Sequence, residues 1–62
     1  MNDKIEEGDL VDIYLDYGSW LRNRRVLYTP KATGDCWHFK SEDGTITYVQ
    51  QFLAINLREK GV

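Results

Sequence analysis

The sequence predicts an all-β fold of five short strands, and three observations carry that expectation. Within residues 10–16, Val11, Ile13 and Leu15 alternate with Asp12, Tyr14 and Asp16, the period of a half-buried strand. Turn-forming residues divide the chain into short runs, with Gly8-Asp9, Pro30 and Asp43-Gly44 as the clearest breaks. Residues 45–50 are rich in β-branched and aromatic types, which fit a pleated surface.

Gly8-Asp9 is a turn opening the first strand, 10–16, with Val11, Ile13 and Leu15 on one face and Asp12, Tyr14 and Asp16 on the other. Residues 17–23 break the alternation, since Gly18 and Asn23 favour turns. A second strand is expected at 24–29, with Val26 and Tyr28 on one face and Arg25 and Leu27 on the other; Pro30 ends it because proline cannot donate to a ladder. After a loop at 31–35, the third strand, 36–40, faces Trp37 and Phe39 one way and Cys36 and His38 the other. Residues 41–44 make a tight hairpin in which Gly44 takes the positive φ. The fourth strand is 45–50. Residues 51–53 suit a single 3-10 turn, a short final strand covers 54–57, and a short helix starting at Val49 competes for this end.

Sixty-two residues allow one domain, which buries only about 60% of its unfolded surface. Cys36 is the sole cysteine and His38 the sole histidine, so neither an internal disulfide nor a four-ligand zinc site can staple the core. Good β packing or self-association must compensate, and a homo-oligomer is expected. No cofactor is expected. The longest apolar run, residues 52–55, is far too short to span a membrane. The acidic start lacks an apolar signal core, and a lone cysteine suits a reducing compartment, so a cytoplasmic location is expected.

The net charge of −2 hides an asymmetry. Residues 1–16 carry −5, residues 17–40 carry +4 from Arg22, Arg24, Arg25, Lys31 and Lys40 against Asp35, and residues 41–62 carry −1. That balance disfavours non-specific duplex binding, which depends on many phosphate contacts. It leaves room for a local anion site in the middle segment.

The order of strand, irregular loop, strand, loop, strand, tight hairpin, strand, 3-10 turn and short strand resembles the SH3-like barrel with its KOW and Tudor relatives. Gly8-Asp9, Asp43-Gly44 and Tyr48-Val49-Gln50-Gln51-Phe52 carry the resemblance. It implies a five-stranded SH3-like barrel over 8–57, flanked by tails at 1–7 and 58–62. The compact form also resembles short orphan proteins of phage and prophage genomes, which implies an inhibitor or sequestering role.

Catalysis finds little support. The chain has no phosphate-cradling glycine loop, no nucleophile elbow and no metal-ligand spacing. Cys36 and His38 share a strand face but lack a third, orienting group. The informative stretch is 20–28, where Arg22, Arg24 and Arg25 interleave with Trp20 and Tyr28. Guanidinium forks bind phosphate and aromatic faces stack bases. Pairing of these arginines with the acidic first strand is the competing reading, as is a protein-partner hot spot.

Eight aromatics cannot all fit inside so small a domain. Trp37, Phe39 and Phe52 are the core candidates, while Tyr14, Tyr17, Trp20 and Tyr48 are expected to be exposed. The expected function is therefore non-catalytic binding of a nucleotide or nucleic-acid phosphate through Tyr17, Trp20, Arg22, Arg24, Arg25 and Tyr28. The alternative is a protein-interaction module using the same Trp/Tyr/Arg set.

Overall fold

Alternation in the first strand sets the architecture, because it gives one strand two distinct faces. In the computed structural model, which describes residues 4–61, the strands are β1 (Leu10–Tyr14), β2 (Trp20–Tyr28), β3 (Trp37–Lys40), β4 (Ile46–Val49) and β5 (Ala54–Glu59). They form one antiparallel sheet in the order β4-β3-β2-β1-β5. β1 is flanked by β2 and β5, and β4 and β5 are its edges.

The inner face of this sheet carries the core. Val11, Ile13, Leu15, Val26, Phe39 and Val49 are buried, with Ile5, Leu21, Trp37, Phe52 and Ile55 packed around them. Phe39 is fully buried, and Trp37 stacks on it at 5.8 Å between ring centroids. Phe52, in the connection to β5, meets the Trp37 ring edge-on at 5.3 Å. These three aromatics thus hold the core positions expected of them. The contact draws the two halves of the sheet together over the core, yet β4 and β5 are not paired and the sheet stays open. The expected closed barrel is corrected to an open five-stranded sheet.

Several boundaries also differ from expectation. Residues 50–53 form a bend with neither a 3-10 turn nor a helix; the Leu53 N–H donates to the Tyr14 carbonyl at 2.8 Å, pinning the connection to the end of β1. β5 runs on to Glu59, past the expected strand end at 57. β2 begins at Trp20, within the segment expected to be irregular. The hairpin at 41–45 forms as expected. Gly44 takes φ 93°, its N–H donates to the Ser41 carbonyl at 3.0 Å, and the Asp43 carboxylate accepts the Ser41 hydroxyl and the Thr45 N–H.

Three register shifts decide which side chains share the outer face. Each is a β-bulge, which bends the strand and re-aims its side chains. In β2, Val11 pairs with Arg24 but Ile13 with Leu21, leaving an extra residue at the Arg22-Asn23 step. Asn23 absorbs it in the left-handed region at φ 57°, where asparagine is one of the few tolerated side chains. In β5 the extra residue is Arg58. Between β2 and β3 it is Leu27, so Val26 pairs with Phe39 while Tyr28 pairs with His38. The expectation that Val26 and Tyr28 share a face is therefore corrected: the bulge turns Tyr28 outward. No helix among the described residues is long and apolar enough to cross a membrane.

Candidate functional site

Asp12 organises the first part of the outer face. It is 5% exposed, in the middle of β1, where an unpaired carboxylate would be costly. Its Oδ1 accepts the Asn23 N–H at 3.0 Å, and its Oδ2 accepts Arg58 at 2.8 Å and Arg22 at 3.4 Å. Burial pushes the Asp12 carboxyl up, but the Asn23 N–H and the two guanidiniums outweigh it and hold the group below the usual carboxylate range. One carboxylate therefore fixes the bulges of both neighbouring strands.

This arrangement divides the three clustered arginines. Arg22 pairs with Asp12, which it shares with Arg58, and lies over the Trp20 ring at 4.6 Å, which in turn packs against Tyr14 at 5.0 Å. Arg24 donates through Nε to the Arg22 carbonyl at 3.1 Å, and Arg25 donates through Nη1 to the Gly8 carbonyl at 2.9 Å. Neither meets a carboxylate among the described residues. Pairing with the acidic first strand thus accounts for Arg22 and leaves Arg24 and Arg25 open.

Alternation alone would put Arg22 and Arg24 on one side. The bulge at Asn23 instead leaves Arg24 opposite the core residue Val11 and turns Arg22 to the Asp12 side, where Arg25, opposite Leu10, also lies. Shallow clefts lie on either side of Asn23, both reaching Ser41 and Glu42 of the β3–β4 hairpin. Arg22 and Arg24 line one; Arg25 and Lys40 line the other. Arg25 and Lys40 are direct cross-strand partners, and Lys40 also has no carboxylate partner among the described residues.

One row along the same face, Tyr28, His38 and Tyr48 line up across β2, β3 and β4. The Tyr28 and His38 rings are 4.9 Å apart, and His38 meets Tyr48 edge-on at 4.7 Å. The Tyr28 hydroxyl donates to Asp35 at 2.8 Å, and Lys31 sits over its ring at 4.4 Å. The Asp35 hydrogen bond pushes the Tyr28 hydroxyl up, while the Lys31 N–H and that hydroxyl hold Asp35 down. Lys31 is engaged with Glu7 at 2.8 Å. Tyr48 is 64% exposed, the open end of the row.

The sequence-predicted site is thus only partly assembled. Trp20 and Arg22 are together, and Arg24 and Arg25 flank the bulge beside them. Tyr28 lies at the other end of β2, roughly 25 Å along the strand from Trp20 at about 3.3 Å per residue. Tyr17 projects from a turn at 75% exposure. Sequence reasoning missed Lys40, His38 and Tyr48 as one surface. The signal was present: His38 and Lys40 alternate with core residues, and the Asp43-Gly44 hairpin fixes Tyr48 opposite His38. No protein-family model, curated protein or solved structure matches the chain.

Proposed function

We propose that the chain is a non-catalytic binding module that holds a phosphate-bearing ligand, a nucleotide or a stretch of nucleic acid, on the outer face of β2 and β3. The observation that carries this reading is the Arg25–Lys40 pair, two like charges directly opposite each other, neither in an ion pair with a carboxylate among the described residues although Glu42 lines the same cleft. Such pairs cost stability in a sheet. A phosphate bridging them removes the repulsion and adds charge-assisted hydrogen bonds. Arg24, opposite the core residue Val11, lies off this face and lines the neighbouring cleft with Arg22.

The strand order, with β5 returning beside β1, supports an SH3-like arrangement left unclosed. The test is titration of adenosine triphosphate and of a single-stranded oligonucleotide of about ten nucleotides, at about 50 and 200 mM salt. Binding should weaken steeply with salt and fall further in the Arg25→Ala/Lys40→Ala double variant. Binding at full strength by that variant would refute the reading.

A protein-partner reading is favoured by one specific feature. At the end of the sheet, Trp20 (38% exposed) packs on Tyr14, Leu53 (66%) is hydrogen-bonded to it, and Tyr17 (75%) projects from the adjoining β1–β2 turn. The unpaired edges β4 and β5 support self-association as the simplest form of it. A salt-insensitive association that leaves Arg25 and Lys40 unaffected is its signature.

A further inference from the structure

We propose that the ligand of this face is a single strand of nucleic acid, with its phosphates on Arg25 and Lys40 and a base stacked on the Tyr48 ring. This inference rests on the phosphate-binding reading and narrows it.

The face carries two parallel rows. Arg25 and Lys40 form a cationic row across β2 and β3, and Tyr28, His38 and Tyr48 form an aromatic row across β2, β3 and β4. Lys40 and His38 are two residues apart on β3, so the rows lie about 7 Å apart. An unpaired strand of nucleic acid presents the matching pair of rows, phosphates beside open base faces.

A duplex does not. Its bases are stacked on one another, so only its phosphates could be used, and a chain of net charge −2 with a strongly acidic first segment suits that poorly. A free nucleotide falls short in another way. From Arg25 on β2 to Tyr48 on β4 the site spans two inter-strand spacings, about 10 Å, which a strand covers with successive phosphates and bases. The three rings also have different parts to play. Lys31 covers Tyr28, and His38 packs between the two tyrosines. Tyr48 is left as the stacking platform, with His38 and Tyr28 holding it in position.

The test is fluorescence anisotropy with labelled decamers of thymidylate and of uridylate. A duplex of the same length and adenosine triphosphate serve as competitors, at about 50 mM salt. At least one decamer should bind, and the duplex and the triphosphate should compete at least about tenfold more weakly. Tyr48 is exposed on an edge strand, so Tyr48→Ala should fold, as checked by circular dichroism. That variant should weaken decamer binding about 5- to 150-fold, and Tyr48→Phe, which keeps the ring, should restore it. The Arg25→Ala/Lys40→Ala variant should lower the salt slope by about 1.4, two phosphate contacts on a single strand. A preference for one decamer over the other upholds the inference equally. Equal competition by duplex or triphosphate, or an unaltered affinity in Tyr48→Ala, overturns it and leaves the phosphate reading standing if the double variant still binds weakly. If no probe binds, both readings fall.

Discussion

A methyl group on Gly61 would come within 2.9 Å of the Gly8 Cα and closer still to the Gly8 carbonyl. Only a residue without a side chain lets the C-terminal segment lie against the start of β1. The Gly61 N–H donates to Asp9 Oδ1 at 2.8 Å, and Lys60 reaches Asp9 Oδ2 at 2.9 Å, so the contact closes a clasp. Gly61→Ala should cost about 1–3 kcal/mol, the usual range for overpacking, read as a lower urea midpoint. An unchanged midpoint would show that the clasp adds nothing.

Asp9 makes stability depend on acid. The Glu6 N–H, Lys60 and the Gly61 N–H hold its carboxyl at about 2, against an ordinary 3.8. A depressed carboxyl stabilises the fold fully above its unfolded value and loses that contribution as pH falls through the folded one. The melting temperature should therefore hold level down to about pH 5 and drop toward pH 2. Asp43, held at about 2 by the Ser41 hydroxyl and the Thr45 N–H, adds to the same slope. Asp9→Asn should melt lower at neutral pH and show a shallower acid drop. A profile parallel to that of the native chain would contradict the assignment.

Removing the Asp12 carboxylate should matter more than removing either arginine bound to it. Asp12→Ala strips the acceptor from the Asn23 N–H and should cost about 1–3 kcal/mol. Arg22 and Arg58 are each about half exposed, so replacing either by alanine should cost under about 1 kcal/mol. Chemical denaturation of the three variants gives the order directly. An arginine variant less stable than Asp12→Ala would show that Asp12 is not what fixes the bulges.

The two tryptophans should behave differently. Trp37 packs between Phe39 and Phe52, and Trp37→Ala should cost about 3 kcal/mol or more, enough to unfold so small a domain. Trp20 lies on the outer face against Tyr14 and Arg22, and Trp20→Ala should leave a cooperative melt. Loss of that melt would place Trp20 in the core.

The residues that made the fold legible were those whose local pattern and tertiary role agree. Val11 and Ile13 alternate with Asp12, and Gly44 sits where the hairpin needs it. Legibility failed at the bulges. Asn23 looks like a turn residue and is one in φ, yet it lies inside a nine-residue strand because Asp12, eleven positions earlier, accepts its N–H. No local window contains both. The shift at Leu27 carried Tyr28 to the outer face in the same unseen way, bringing it to His38. Half of the candidate surface was therefore readable as an arginine cluster, and the other half needed the cross-strand register.

Binding on the outer face is tested most directly by an amide chemical-shift map of the native chain titrated with the thymidylate or uridylate decamer. The largest shifts should fall at Arg25, His38, Lys40 and Tyr48, with Tyr17 and Leu53 unmoved. Shifts centred on Tyr14, Tyr17, Trp20 and Leu53, or none at all at saturating oligonucleotide, would contradict a single-strand site on this face.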